Sequence, residues 1–289
     1  MKRLFCFGLG YTARALADLL APQGWRLAGT CREGEARAPL AARGIEVHLF
    51  DRGRPLDDPA ATLAGASHCL SSVPPDGEGD AVLDHHRGDL AEVRGLEWVG
   101  YLSTTAVYGD RGGAWVDETT APAPTTERGR QRLATEQRWL GLMREHGVPV
   151  HLFRLAGIYG PGRNQLAAVR AGAAKRIAKR GQVFSRIHVA DLARVLAASM
   201  AAPEPGAIYN VCDDEAAPPQ EVVAYACELL GVEPPPLTRF DEAELSVLAR
   251  SFYAENKRVR NHRITRELGV RLAYPSYREG LEALLEEGA

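Results

Sequence analysis

The chain has 289 residues, 45% of them apolar and 25% charged, and a net charge of −2. That length and balance suit an ordinary globular protein with room for a substantial core, as one large domain or two interlocked ones. A near-neutral surface argues against a nucleic-acid binder, and no apolar run reaches membrane-spanning length, so the expectation is no nucleic acid and no membrane.

Leu4 to Phe7 reads as a short buried strand that breaks at Gly8-Leu9-Gly10. Apolar residues then recur at helical spacing at Ala13, Leu16, Ala17 and Leu20. Strand, glycine turn and helix fill the G-x-G-x-x-G/A pattern with Gly8, Gly10 and Ala13. Gly8 permits the tight turn, Gly10 lets a pyrophosphate reach the backbone, and Ala13 keeps the helix close to the strand. The phosphate seat is expected at Gly8, Gly10, Tyr11, Thr12 and Ala13, facing the N–H groups at the helix start.

The second strand, Trp25 to Arg32, ends in Thr30-Cys31-Arg32 with no acid to accept from a ribose 2′-hydroxyl. Arg32 and Thr30 could instead hold a 2′-phosphate, which favours NADP over NAD. Strands follow at Ile45 to Phe50, ending at Asp51, at Ser67 to Val73, stopped by Pro74-Pro75, and at Glu97 to Ser103. Helical segments lie between them at Glu35 to Arg43, Asp57 to Ala64 and Asp80 to Val93. This alternation predicts an α/β fold, a Rossmann-type doubly wound parallel sheet with a ligand crevice beyond the strand carboxyl ends. Gly8, Arg32, Asp51, Ser71, Ser72 and Thr104 all fall at such ends.

A long helix from Thr126 to Glu145 is ended by Gly147 and Pro149, and Val150 to Leu155 makes a sixth strand. The nucleotide half is expected over residues 1–160, completed by returns of the chain near 187–212. Residues 161–289 then form a smaller substrate lobe, interlocked with that core. Within it, Arg170 to Arg180 reads as a solvated helix face or as a basic cluster for an anionic substrate. Lys257, Arg258 and Arg260 allow the same two readings, with a solvated strand edge the plainer one. His188 reads as an inward histidine held by a backbone bond. Five cysteines without a C-x-x-C pair, three of them in strands, suggest reduced thiols, no metal site and a cytoplasmic protein. With Met1 so close to the first core strand, no signal peptide is expected.

From Leu102 to Asp110 the chain resembles the extended short-chain dehydrogenases/reductases, the superfamily of the NAD(P)-dependent epimerases and dehydratases. Trp115 to Thr119, Phe153 to Arg163, Ile187 to Ala193 and Tyr209 to Val211 agree in order and spacing. The resemblance implies that Asp51 reads the adenine amino group and that Ser71, Ser72, Val73 and Pro74 line the cofactor. It also implies that Thr104 is the catalytic hydroxyl beside the nicotinamide.

The family's Y-x-x-x-K pair is missing: Arg128 stands in the tyrosine position and Arg132 in the lysine position. An arginine, with a pKa above about 12, keeps its proton. Arg132 can still hold ribose hydroxyls, although its planar guanidinium is no equivalent of an ammonium. Tyr108 and Tyr159 are then the candidate proton donors, Tyr108 first, if Arg128 or Arg132 depresses its pKa. Gly157 replaces an asparagine that commonly faces the substrate, and Phe184 replaces an arginine aimed at a diphosphate, so a nucleotide sugar is disfavoured. The expected function is an NADP-dependent oxidoreductase or epimerase/dehydratase acting on a small carbonyl or hydroxyl compound, an anionic one if the basic cluster faces it. The alternative is a non-catalytic NADP-binding redox sensor or assembly protein. A monomer and a homodimer are both compatible with the charged face of the helix from Thr126.

Overall fold

Each apolar run in the first 104 residues becomes a parallel strand, because alternating crossovers leave both faces of the sheet covered and favour continuous apolar sequence. A computed structural model describes residues 2–288. In chain order the elements begin with β1 (Arg3–Phe7), α1 (Tyr11–Leu20), β2 (Arg26–Cys31), α2 (Arg37–Ala41) and β3 (Glu46–Leu49). They continue with α3 (Pro59–Leu63), β4 (His68–Ser71), α4 (Ala81–Glu92), β5 (Trp98–Thr104) and the two-residue β6 (Trp115–Val116). Next come α5 (Glu127–His146), β7 (Val150–Leu155), β8 (Gly157–Tyr159), α6 (Gln165–Arg170), β9 (Arg176–Ala178) and β10 (Arg186–His188). The chain closes with α7 (Val189–Ala201), β11 (Ile208–Val211), α8 (Pro219–Leu230), β12 (Leu237–Arg239), α9 (Val247–Phe252), β13 (Arg258–Val259), α10 (His262–Arg266) and α11 (Tyr277–Glu286).

The main sheet has seven strands in the order β11-β7-β5-β4-β1-β2-β3. β1 pairs in parallel with both β2 and β4, so the winding direction reverses between β1 and β4. That reversal leaves a crevice beyond the carboxyl ends of these two strands, the place where open α/β sheets bind ligands. Phe5, Phe7, Cys69, Val99 and Tyr101 fill one face against Val82, Leu83, Trp139 and Leu142 of the covering helices. No helix of the described residues is long and apolar enough to cross a membrane.

The chain divides into two compact units, each built from three separate segments. The first holds residues 1–104, 130–154 and 193–209; the second holds 105–129, 155–192 and 210–289. Residues 105–129 thus fold with the second unit, although local sequence periodicity places them with the strand they follow. In the second unit β8 pairs in parallel with β10, β9 with β12 and β6 with β13. The basic stretch expected as a helix over 170–180 is instead the end of α6, a turn and β9.

Candidate cofactor and active site

The glycine turn after β1 is held by three bonds from neighbouring strands. Gly8 N–H donates to Thr30 Oγ1 at 2.8 Å, Leu9 N–H to Thr30 O at 2.7 Å, and Ser72 Oγ to Gly8 O at 2.7 Å. Gly8 has φ +87°, and a Cβ there would lie 2.8 Å from Ser72 Oγ, so the bend and the contact both require glycine. A Cβ on Gly10 would meet nothing within 4 Å, so that backbone faces open space. Gly10 caps α1 with no side-chain bond, and the first turn carries no acid. Such a helix start presents unsatisfied N–H donors and the positive end of the helix dipole, the donor set a pyrophosphate needs. Ala13 and Thr12 are buried beneath the turn, while Tyr11 is half-exposed. At the end of β4, the Ser71 hydroxyl is buried with no hydrogen-bond partner, an orphan beside the turn that a bound polar group can satisfy. Ser72 and Val73 are half-buried and Pro74 exposed. The turn therefore fits a dinucleotide.

At the end of β2, Arg32 is exposed. Thr30 is not a ligand-facing hydroxyl: it is buried and accepts the Gly8 N–H, which corrects its expected share in holding a 2′-phosphate. The Asp51 carboxylate accepts Gly53 N–H at 3.0 Å and Arg54 Nη2 at 2.8 Å, and Arg54 also donates to Arg32 O at 2.6 Å. Burial raises the Cys31 thiol pKa, while the charges of Arg37 and Arg54 pull it back. Two arginines beyond Arg32 therefore act at this strand end. Sequence reasoning did not single out Arg54, whose contact with Arg32, just past β2, spans 22 residues.

Thr104, half-exposed, ends β5. Arg132 Nη1 donates to Leu102 O at 2.5 Å, and its guanidinium lies 6.0 Å from the Tyr101 ring. One turn further along α5, Glu136 is fully buried, accepts Ser103 Oγ at 2.5 Å, and pairs with Arg154 at 2.7 Å. Sequence reasoning missed this pair; an acid and an arginine on buried element faces were its only signal.

In the second unit neither candidate tyrosine is arranged as a proton donor. Tyr108 is fully buried, and its hydroxyl donates to Asn210 Oδ1 at 2.8 Å. Tyr159 donates to Ser276 O at 3.2 Å, and burial pushes its pKa up, away from any working pH. Tyr108→Phe should therefore cost about 1–3 kcal/mol of stability, because it leaves the buried Asn210 Oδ1 without this donor, and leave any turnover within twofold. Denaturant unfolding and an NADPH-oxidation assay check this, and a hundredfold loss of rate would restore Tyr108 as the donor. His188 accepts Ala190 N–H on Nδ1 and packs 4.1 Å from the Tyr274 ring, the inward arrangement anticipated for it.

Several basic residues of this unit serve structural bonds. Lys175 Nζ donates to Glu244 O at 2.8 Å and Lys179 Nζ to Tyr253 O. Lys257 is half-buried between Gly109 O and Glu255, and Arg258 donates to Gly113 O, so neither is a solvated strand edge. Arg260 stacks 4.9 Å over Trp115. Arg128 is exposed and lies 5.6 Å over the Phe252 ring. All five cysteines are free thiols, and burial raises the Cys69 thiol to about 12. No group of three or more metal-ligating side chains occurs among the described residues.

Residues 88–212 match the model of the NAD dependent epimerase/dehydratase family. Protein YeeZ of Escherichia coli (strain K12) is 29% identical over 287 residues, covering 95% of this chain and 97% of that one. A solved structure of a functionally unknown conserved protein from Silicibacter pomeroyi DSS is 54% identical, with a TM-score of 0.91 over 100% of this chain and 99% of that one. UDP-glucuronic acid 4-epimerase from Bacillus cereus, solved with UDP-glucuronic acid and NAD, is 16% identical over 99% of this chain and 98% of its own, with a TM-score of 0.80. At that identity the last likeness speaks for the fold alone.

Proposed function

We propose that the chain, whose residues 88–212 match the NAD dependent epimerase/dehydratase family model, is a member of the extended short-chain dehydrogenases/reductases that binds NADP(H) and acts as an oxidoreductase or epimerase on a small carbonyl or hydroxyl compound. The observation that carries the reading is the open turn at Gly8 and Gly10, with the orphaned Ser71 hydroxyl beside it at the sheet's switch point. Gly10 and the N–H groups opening α1 hold the pyrophosphate, and Ser71 to Pro74 line the nucleotide. Asp51 keeps lone pairs for the adenine amino group beside its bonds to Gly53 and Arg54. The cofactor, when bound, supplies or accepts hydride at its nicotinamide. Thr104 Oγ1 and the Arg132 guanidinium hydrogen-bond the substrate oxygen, whose proton comes from solvent, because an arginine does not release one.

The missing acid at the end of β2, with Arg32 exposed there and Arg37 and Arg54 acting on the same strand end, supports NADP. NADPH should bind about tenfold or more tighter than NADH, and Arg32→Ala should erase the difference, since charge-assisted bonds to phosphate contribute on the order of 1.5–3 kcal/mol. Fluorescence titration of both nucleotides tests this; equal affinities untouched by Arg32→Ala would assign the site to NAD.

The commitment of the Tyr108 and Tyr159 hydroxyls, with Arg128 in the tyrosine position, favours a second reading: an NADP-binding redox sensor or assembly protein without turnover. Tight NADPH binding with no oxidation across a carbonyl panel would select it. Either activity belongs in the reducing cytoplasm, with a small molecule, not nucleic acid or membrane, as partner, and with the protein a monomer or homodimer.

A further inference from the structure

α8 buries one side and leaves the other along a recess. Val222, Val223, Ala226 and Cys227 are buried, whereas Glu221 and Glu228 are exposed and Tyr225, between them, is half-buried. With about 3.6 residues per turn and about 1.5 Å of rise per residue, Glu221, Tyr225 and Glu228 share one side of the helix, and the two acids stand about 10 Å apart along it. Together with Val232 beyond the helix end, and Tyr277 and Arg278 at the start of α11, they line a recess of about 440 Å³. All six residues belong to the second unit.

The charges along this recess are not balanced. Among the described residues neither Glu221 nor Glu228 has a hydrogen-bond or ion-pair partner. Arg278, the cation in the wall, has Nε 4.0 Å from Glu215 Oε2, so it offsets a third acid instead. Its guanidinium lies 5.0 Å from the Tyr225 ring centre and 4.8 Å from that of Tyr277, and the two rings meet edge to face at 5.8 Å. Aromatic rings attract a cation within about 6 Å, so this wall favours positive charge as the acids do. The Tyr225 hydroxyl is committed to Glu282, which leaves its ring as the apolar span between Glu221 and Glu228. Tyr277 is 1% exposed, and its buried hydroxyl has no hydrogen-bond partner. Burial raises the pKa of that hydroxyl, and the charges of Arg278, Glu215 and Glu221 act on it, which sets it at the Glu221 end of the recess. Buried hydroxyls are normally paired, so this orphan marks a place where a bound donor is received.

We propose that the recess between α8 and α11 binds a linear di- or polyamine, with its terminal ammonium groups on Glu221 and Glu228 and its methylene chain across the Tyr225 ring. The ammonium at Glu221 also donates to the Tyr277 hydroxyl. The spacing of the two acids selects the length: an extended diaminoheptane spans both, and diaminobutane reaches only one. The volume is that of a small-molecule site, which favours a free amine over a basic peptide. No residue of the glycine turn takes part, so the inference stands apart from the cofactor reading.

α,ω-Diaminoheptane and α,ω-diaminobutane, equal in charge and different in reach, are titrated calorimetrically against the full chain at low ionic strength, with tetralysine alongside. The longer diamine should bind about fivefold tighter than the shorter, the gain of one further exposed charge pair. Glu228→Gln should erase that preference by weakening the longer diamine alone. Glu221→Gln and Tyr277→Phe should weaken both, and Glu204→Gln, an exposed acid that does not line the recess, should change neither. The glutamates are exposed, so their amides keep the fold and the length preference stays measurable. No binding, equal binding of the two diamines, a preference that survives Glu228→Gln, or affinities that neither Glu221→Gln nor Tyr277→Phe lowers would overturn the proposal. Tetralysine bound more tightly than diaminoheptane, and weakened by the same two glutamine substitutions, would overturn it in favour of a basic peptide.

Discussion

Glu136→Ala is expected to destabilise the protein by about 3–5 kcal/mol, because it removes one partner of a buried ion pair. Glu136 is 0% and Arg154 3% exposed, and Arg154 donates through Nε at 3.1 Å and Nη2 at 2.7 Å to the two carboxylate oxygens. Ser103 Oγ, donating at 2.5 Å, adds a bond from β5, so one carboxylate ties α5 to β5 and β7. Bringing these charges out of water is costly, and their attraction offsets that cost only while both are present. The double variant Glu136→Leu with Arg154→Leu should recover most of the loss, since apolar replacements of a whole buried pair are often neutral. Urea unfolding of the three proteins measures both effects. A loss below about 1 kcal/mol in the single variant would place this pair with solvated surface bridges. The effect bears on function too: Arg132 lies one turn before Glu136, and Thr104 follows Ser103, so this pair positions both catalytic-side candidates of the first unit.

Asp213→Asn is expected to act in the opposite direction and to stabilise the protein at neutral and alkaline pH. Both Asp213 oxygens are buried without a partner at hydrogen-bond geometry. Burial holds its pKa well above the carboxylate range; the Arg186 charge and the Arg186 and Glu215 N–H groups offset part of that, and Asp214 opposes them. Arg186 itself gives Nη1 to Phe184 O and Ala217 O, and Tyr159 from β8 and Tyr277 from α11 complete the surroundings of the guanidinium. The unfolded chain releases this proton near the ordinary aspartate pKa of about 3.9, while the native protein retains it. Above that pH the native state binds more protons than the unfolded one, so stability falls as pH rises until the native group also ionises. An amide has no proton to lose and removes this dependence. The gain should be absent below about pH 4 and reach about 1–3 kcal/mol above it, the cost of an unsatisfied buried polar group. Unfolding midpoints at pH 4 and pH 8 decide the matter: a gain independent of pH, or a loss at both, would mean that Asp213 is ionised in the native state.

The sequence by itself determined what depends on neighbours along the chain. Glycines at 8 and 10 between an apolar run and a helical period dictate strand, turn and helix, and the alternation that follows dictates a parallel sheet. Along the chain alone, Arg128 and Arg132 also read as standing where the family's tyrosine and lysine would be, and an arginine keeps its proton. The tertiary structure decided which polar groups are already used. Thr30 and Tyr108 carry the right chemistry for a site, yet each hydroxyl holds a fold contact, Thr30 to Gly8 across 22 residues and Tyr108 to Asn210 across 102. The lysines at 175 and 179 read as solvated or substrate-facing, and they fasten carbonyls 69 and 74 residues away. Periodicity records which face of an element is apolar, but a side chain's hydrogen-bond partner is set by which distant backbone the fold brings within 3 Å. The fold and its glycine turn were therefore legible in order, while the partners of the candidate hydroxyls were set only by packing.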